Sequence, residues 1–139
     1  AQGAAAVLAP QDTPDGLAPL LVRSGDVRRA YALAARGFYG AQPATCVAVT
    51  GTNGKTSVAA FCRQIWAVLG RKSASMGTLG VVAQSGKTTQ ALTPPGLTSP
   101  AAADAARLLA TLAEGGVTHL ALEASSHGID QRRLDGVTL

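Results

Sequence analysis

The sequence predicts an α/β protein with a parallel sheet and flanking helices, and three observations carry this prediction. From residue 45 onward, short apolar runs of strand length alternate with stretches of helical periodicity. A glycine-rich loop joins the first of these runs to a helix. The chain has 139 residues, of which 47% are hydrophobic, so it can form one packed core. Strand–helix–strand alternation requires crossover connections, which make neighbouring strands parallel.

The first part of the chain predicts two strands and a helix. Residues 4–8 and 19–23 are apolar runs of strand length. Asp26 is placed to cap a helix that extends to about Gly37, since small and aromatic apolar residues recur there at helical spacing. Residues 39–45 contain Gly and Pro and predict a linker.

The second part predicts a denser unit. Residues 46–50 are expected to form a buried strand, residues 51–55 a loop, and Thr56 to Leu69 a helix that Gly70 ends. The apolar residues of that helix lie on one stripe: Val58, Phe61, Cys62, Ile65 and Leu69. Two weaker strands follow at residues 73–76 and 79–83, and residues 84–98 are predicted to be a loop.

A second helix and a last strand complete the unit. Ser99 and Pro100 are preferred at an N-cap and a first turn, so they predict a helix that runs to Glu114. Residues 117–122 predict a strand that ends at Glu123, and residues 137–139 resemble the start of another.

Three or four strands make an unfinished sheet, so we expect the chain to be a fragment of a larger enzyme. The expected division is residues 1–44 as the end of one domain, too short for a core of its own, and residues 45–139 as the first part of the next.

Composition excludes some classes of partner. The net charge is +4 and no run of five basic residues occurs, which argues against nucleic acid. No apolar run approaches the roughly 18 residues of a membrane span, and residues 1–10 lack the basic leader of a signal peptide. Cys46 and Cys62 lie in apolar stretches and are expected to be buried thiols, with a disulfide as the alternative. Free thiols fit a cytoplasmic protein.

The loop Gly51-Thr52-Asn53-Gly54-Lys55-Thr56 is the strongest functional motif. Between a strand and a helix, its glycines let backbone N–H groups turn toward an anion, and the helix N-terminus adds partial positive charge. Lys55 is a candidate for the β- and γ-phosphates of a nucleotide, and Thr56 for Mg²⁺. The pattern is a variant P-loop, since Val49 stands where glycine is usual. The alternative is an ordinary glycine-rich turn.

Glu123 is the second candidate, because it ends an apolar parallel strand, where ligands of such sheets bind. A carboxylate there can reach Mg²⁺ held by phosphates; the alternative is an exposed loop carboxylate.

A polar cluster follows Glu123 in the sequence and consists of Ser125, Ser126 and His127. A Ser–His nucleophile is conceivable, but no G-x-S-x-G elbow surrounds it, so His127 is interpreted as structural, as is His119.

These residues together resemble a known family. The segments Val49–Thr56, Met76–Gly80 and Glu123–Gly128, with Gln131 and Arg133, resemble the Mur ligases, and within them the MurE type that adds the third residue of the peptidoglycan stem peptide. The Glu-x-Ser-Ser-His-Gly block and the Gly-Lys-Thr loop argue against folylpolyglutamate synthetases.

The resemblance implies a fold and a reaction. Residues 1–44 would end the domain that holds the UDP moiety, and residues 45–139 would begin the central ATP-binding domain. The implied reaction transfers phosphate from ATP to the D-glutamyl carboxylate of UDP-MurNAc-L-Ala-D-Glu, after which the amine of a diamino acid forms the amide. Meso-diaminopimelate is the expected diamino acid and L-lysine the alternative. Open alternatives are a nucleotide-binding module without chemistry and an NTPase without a ligase substrate.

The resemblance also implies roles for single residues. Gly51 to Thr56 would bind ATP, and Thr56 and Glu123 would ligate Mg²⁺. The UDP-linked substrate would contact five residues: Thr98, Ser99, Ser125, Gln131 and Arg133. Thr98 and Ser99 are assigned through Leu97-Thr-Ser-Pro-Ala101, chosen over residues 92–96 as the counterpart of a Leu-Thr-Thr-Pro-Asp motif. Ala101 replaces the Asp of that motif.

Overall fold

The computed structural model describes residues 3–17, 20–94, 96 and 98–139. Pro19 of the second predicted strand and Leu97 of the proposed substrate motif lie outside the described residues. Within the described part, no helix is long and apolar enough to cross a membrane.

The amino-terminal part forms a small sheet and one helix. Strands β1 (Val7–Pro10) and β2 (Leu21–Ser24) pair in parallel, apart from the main sheet. Helix α1 (Val27–Tyr39) follows, and the Asp26 side chain accepts a hydrogen bond from the backbone N–H of Arg29 at 2.9 Å, which confirms the predicted cap. This bond, with nearby arginines, lowers the pKa of Asp26.

The rest of the chain forms a five-stranded sheet with helices on both faces. In chain order, the elements are β3 (Thr45–Val49), α2 (Lys55–Val68), β4 (Ser73–Gly77), β5 (Gly80–Ser85), β6 (Thr88–Ala91), α3 (Ala102–Glu114), β7 (His119–Glu123) and α4 (Ser126–Asp130). The strand order in the sheet is β3-β7-β4-β5-β6. Strand β7 therefore lies between β3 and β4, and it is parallel to both.

The predicted parallel sheet is confirmed for β3, β7 and β4, but β5 and β6 pair in the antiparallel direction. The prediction of a loop over residues 84–98 was therefore wrong, because β6 occupies Thr88–Ala91. The sequence of β6 is Thr-Thr-Gln-Ala and all four residues are exposed, so it has no apolar alternation that would mark a strand. A tight turn connects β4 to the antiparallel β5, and it includes Gly80, which has a φ of +82°.

The core lies between the sheet and α3. Leu109 and Leu112 of α3 pack against alternate strand residues, including Leu120 and Leu122 of β7. Helix α2 covers the opposite face through a buried row of Ala59, Arg63 and Ala67. The Arg63 guanidinium donates to Ser75 Oγ at 3.1 Å and to Gln84 Oε1 at 2.5 Å, and its burial lowers the pKa of this side chain.

The apolar stripe that predicted α2 is not the face that packs. Exposed residues on the stripe are Val58, Phe61, Ile65 and Leu69, and Cys62 is half-buried. The buried row of α2 residues described above, spaced by four, faces the sheet instead. Both cysteines are free, and Cys46 is buried; burial raises the pKa of the Cys46 thiol to about 11.

Helix α3 starts later than predicted. Ala101 is its N-cap and Ala102 its first residue, because the Ser99 hydroxyl is bonded to β7 and to Ser125 instead of capping the helix. The helix ends at Glu114, as predicted, with Gly115 as the C-cap. The segment after Glu123 contains a short helix, α4, and residues 137–139 form no strand.

Helix α1 packs against α3, so the amino-terminal part is in contact with the main unit. Gly136 lies so close to α1 that a Cβ atom there would be 2.6 Å from the carbonyl oxygen of Ala32. The Arg132 side chain also donates to Asp26 at 3.0 Å across the same contact. These contacts connect α1 with the segment that carries Gln131 and Arg133.

Candidate functional site

The glycine-rich loop lies at the carboxyl end of β3, as predicted. Both of its glycines have positive φ angles, +139° at Gly51 and +80° at Gly54, which side-chain-bearing residues rarely adopt. Gly54 is the N-cap of α2, and its carbonyl accepts from the Val58 N–H at 2.9 Å. The helix therefore begins at Lys55, and its free N–H groups face the loop.

Lys55 folds back over the loop. Its Nζ donates to the carbonyl oxygens of Gly51 at 2.8 Å and Thr52 at 3.4 Å. Thr52 and Asn53 are exposed at the tip of the loop. The ammonium group is thus held beside the loop by exposed contacts, which a phosphate can replace at little cost.

Glu123 ends β7 directly beside the loop. Sheet register pairs it with Val49 of β3, and the Ala124 N–H donates to the Val49 carbonyl at 2.8 Å. The Glu123 residue is only 3% exposed, which excludes the alternative of an exposed loop carboxylate. Thr56 Oγ1 donates to Glu123 Oε2 at 3.1 Å, so the two predicted metal ligands meet.

This donor set fits Mg²⁺. The ion prefers oxygen ligands and usually combines one or two carboxylates with phosphate oxygens and water. Thr56 and Glu123 offer a hydroxyl and a carboxylate oxygen at the foot of the loop. Within the described residues, no cluster of three or more His, Cys, Asp or Glu side chains forms a separate metal cage.

Thr78 is a site residue that the sequence analysis did not single out. Its backbone N–H donates to Glu123 Oε1 at 3.0 Å, and its hydroxyl donates to Oε2 at 3.3 Å. The preceding Gly77 makes this approach possible, because a Cβ atom there would lie 2.1 Å from Glu123 Oε1. The segment Met76–Gly80 contributes to the family resemblance of the sequence. Its contact with Glu123 follows only from the pairing of β4 with β7.

Three of the five predicted substrate residues form a second cluster. The Ser99 hydroxyl is buried and donates to the Glu123 carbonyl at 3.2 Å, and it lies 3.2 Å from Ser125 Oγ. Arg133 donates to the Ser99 carbonyl at 2.8 Å. Ser125 also caps α4, since its Oγ accepts from the Gly128 N–H at 3.0 Å.

The other predicted residues lie around this cluster. Thr98 Oγ1 is 3.0 Å from Thr78 Oγ1, which connects it to the Glu123 carboxylate. The half-buried Gln131 donates to the adjacent Asp130 at 3.1 Å and is not joined to Ser99. His127 is exposed on α4, whereas the His119 ring packs 5.2 Å from Trp66, as expected of a structural residue.

A cavity connects the two predicted parts of the site. It has a volume of about 330 Å³ and is lined by Thr50, Gly51, Thr52, Lys55, Ser125 and Ser126. The loop lines one side and the start of α4 lines the other. A phosphate group bound at the loop would therefore face the serines that follow Glu123.

Comparisons with known proteins show which proteins this chain resembles. A Caulobacter vibrioides protein named UDP-N-acetylmuramoyl-L-alanyl-D-glutamate--2,6-diaminopimelate ligase is 69% identical and matches 100% of this chain, which spans 29% of that protein. A Rhizobium meliloti protein of the same name is 54% identical over 99% of the chain, which spans 27% of it. A solved structure titled as this ligase superimposes with a TM-score of 0.72 and 29% identity, covering 85% of this chain and 24% of that one.

The family comparison covers most of the main unit. The family described as Mur ligase middle domain matches residues 49–139, which include the loop, Thr78, Glu123 and the serine cluster. The solved structure supports the same fold. The chain therefore belongs to the Mur ligase family, of which it carries a middle-domain segment.

Proposed function

We propose that the chain is part of an ATP-dependent amide ligase that acts in peptidoglycan synthesis. In this proposal, residues 45–139 are the first part of the central ATP-binding domain, and residues 1–44 end the domain that binds the UDP moiety. The chain spans less than a third of the relatives that support the proposal, so the activity belongs to the longer protein. The proposed nucleotide substrate and the free thiols fit a cytoplasmic enzyme.

The proposed reaction joins a diamino acid to UDP-N-acetylmuramoyl-L-alanyl-D-glutamate. ATP transfers its γ-phosphoryl group to the D-glutamyl carboxylate and leaves as ADP, and the resulting acyl phosphate is attacked by the amine. The amide forms as phosphate departs. Meso-diaminopimelate is the proposed amine, because the relatives described above are named as 2,6-diaminopimelate ligases, and L-lysine becomes the alternative to exclude.

The described residues take defined roles in this reaction. Backbone N–H groups of the loop and Lys55 Nζ would hold the nucleotide phosphates, after Lys55 leaves its contact with the Gly51 carbonyl. Thr56 and Glu123 would hold Mg²⁺, which neutralises charge on the phosphoryl oxygens when bound. The UDP-linked substrate would be bound by Thr98, Ser99, Ser125, Gln131 and Arg133.

One observation carries the proposal. Thr56 Oγ1 and Glu123 Oε2 come from residues 67 positions apart and meet at 3.1 Å, directly below a glycine-rich loop at the carboxyl ends of parallel strands. Such a hydroxyl–carboxylate pair next to N–H donors suits a metal–nucleotide complex. A purely structural turn would not require a buried carboxylate at this place.

A ligation assay on the full-length protein tests the proposal. The protein is incubated with Mg²⁺, ATP, UDP-MurNAc-L-Ala-D-Glu and either meso-diaminopimelate or L-lysine, and mass spectrometry measures the UDP-linked product. The proposal requires amide product with meso-diaminopimelate and equal amounts of ADP and phosphate. Product with L-lysine alone would refute the assigned amine. ATP hydrolysis that does not depend on the UDP-linked substrate would favour an NTPase, and binding without turnover would favour a nucleotide-binding module.

A further inference from the structure

Thr78 links the proposed metal ligand to a proposed substrate residue. It follows Gly77 at the end of β4, and β4 runs parallel to β7, where Glu123 lies. Its hydroxyl donates to Glu123 Oε2 at 3.3 Å and lies 3.0 Å from Thr98 Oγ1. Its backbone N–H fixes the other carboxylate oxygen at 3.0 Å. One residue thus contacts both oxygens of Glu123 and the hydroxyl of Thr98.

The direction of these hydrogen bonds follows from the number of protons. A hydroxyl group has one proton to donate and can accept as well, whereas an ionised carboxylate only accepts. Since Thr78 donates its one proton to Glu123, the bond between the two threonines must be donated by Thr98. The chain of donors therefore runs from Thr98 to Thr78 to Glu123.

We propose that Thr78 is a positioning residue in this chain of donors, which we call the threonine relay (Thr98, Thr78 and Glu123). The relay holds the Glu123 carboxylate in place for Mg²⁺ and fixes Thr98 as a hydrogen-bond acceptor toward its ligand. Thr98 then selects an N–H or O–H group of the substrate over a carboxylate or phosphate oxygen. The identities of metal and substrate rest on the proposed function, but the relay itself rests on the contacts of Thr78.

The surroundings of Thr78 indicate that it positions the Glu123 carboxylate and does not serve only to stabilise the fold. Thr78 is exposed, so its hydroxyl is not needed to fill the core. The Glu123 carboxyl group packs against Gly77 with no room for a Cβ atom, which places the carboxylate where Thr78 can bond both of its oxygens. Hydrogen bonds to a charged group are the strong kind, so the hydroxyl has a measurable effect on how Glu123 is held.

The test measures how much Mg²⁺ the full-length protein needs to bind AMP-PNP, a non-hydrolysable ATP analogue. Thr78→Val removes the hydroxyl and keeps the shape and the backbone N–H. We expect it to raise the Mg²⁺ concentration for half-maximal binding about tenfold, by loss of one bond to a charged group. Thr78→Ser keeps the hydroxyl and should stay within about twofold of the wild type. Thr89→Val, at an exposed threonine of β6, is the matched control and should have no effect.

A double-mutant cycle tests the link to Thr98. Thr98→Val should raise the Mg²⁺ requirement about threefold in the wild-type background and not at all in the Thr78→Val background. An equal effect of Thr98→Val in both backgrounds would overturn the relay, as would a wild-type Mg²⁺ requirement in Thr78→Val or equal impairment in Thr78→Ser. If Thr78→Val does not fold, Thr98→Val alone decides the question, since an unchanged Mg²⁺ requirement contradicts the relay.

Ligation and binding results separate the two proposals. Absence of amide product from the wild type would contradict the proposed function, while the Mg²⁺ dependence of AMP-PNP binding would still test the relay. Normal ligation with no difference between wild type and Thr78→Val would contradict the relay alone. Nucleotide binding without any Mg²⁺ dependence in the wild type would overturn the role of the relay directly.

Discussion

Gly77→Ala is the substitution that tests the geometry of Glu123 most specifically. A Cβ atom at position 77 would lie 2.1 Å from Glu123 Oε1 and 2.4 Å from Cδ, far inside van der Waals contact. The backbone of β4 is fixed by pairing with both β5 and β7, so the Glu123 side chain has to move. It would then lose its bonds from the Thr78 N–H at 3.0 Å and from Thr56 Oγ1 at 3.1 Å.

The size of the effect follows from these two bonds. A hydrogen bond to a charged group contributes roughly 1.5–3 kcal/mol. Two such bonds, partly replaced by new contacts, leave a loss of about 3 kcal/mol in the arrangement that binds metal. Because about 1.4 kcal/mol corresponds to a tenfold change, we expect kcat/KM of ligation to fall roughly 10²-fold. Steady-state kinetics over a range of Mg²⁺ concentrations measure this value in the full-length protein, with kcat/KM compared at the Mg²⁺ concentration that half-saturates the wild type.

Gly37→Ala provides the matched control. Gly37 lies inside α1 and a Cβ atom there would meet nothing within 4 Å. Alanine is favoured over glycine in a helix, so this variant should keep full activity and gain up to about 1 kcal/mol in the free energy of unfolding. Activity of Gly77→Ala within threefold of the wild type, with normal Mg²⁺ dependence, would refute the assigned position of Glu123.

Three further predictions concern the loop, the serine cluster and the core. Lys55→Ala should lower kcat about 10²- to 10³-fold with an unchanged circular dichroism spectrum, since the ammonium group acts on transferring charge; unchanged kinetics would contradict the phosphate assignment. Gly128→Ala places a Cβ atom 2.6 Å from Ser99 Oγ and 3.0 Å from Ser125 Oγ, so it should displace the serine hydroxyls. The KM for the UDP-linked substrate should therefore rise about tenfold, while the KM for ATP should stay constant. Initial-rate measurements with each substrate varied in turn would show both values. Burial raises the pKa of Cys46 to about 11, so the contribution of this thiol to the free energy of unfolding should be constant well below pH 9 and fall by about 2–3 kcal/mol between pH 9 and 11, where the unfolded thiol ionises first. Urea unfolding over this pH range should show a decline that is steeper in the wild type than in Cys46→Ala by this amount.

Features with local causes could be predicted from the sequence. The phosphate loop is defined by six adjacent residues, and its positive φ angles fall on both of its glycines. The Asp26 cap acts on an N–H group only three residues away. Glu123 was found because it ends an apolar run, and the end of a parallel strand is where such sheets bind ligands.

Features that depend on distant contacts could not be predicted in the same way. Thr78 touches Glu123 across 45 residues, and only the pairing of β4 with β7 brings them together. Ser99 is predicted to cap a helix because serine favours that position, but its hydroxyl forms hydrogen bonds with the Glu123 carbonyl and with Ser125 Oγ instead. Periodicity correctly indicated α2, yet it could not show that the row of Ala59, Arg63 and Ala67 faces the sheet in place of the apolar stripe.

A crystal structure of the full-length protein with AMP-PNP and Mg²⁺ tests the central claim most directly. We expect the β- and γ-phosphates to contact the loop N–H groups, with Lys55 Nζ moved from the Gly51 carbonyl onto a phosphate oxygen. The metal should lie about 2.1 Å from Thr56 Oγ1 and from a Glu123 oxygen. Phosphates bound elsewhere, or a metal that contacts neither Thr56 nor Glu123, would contradict the account.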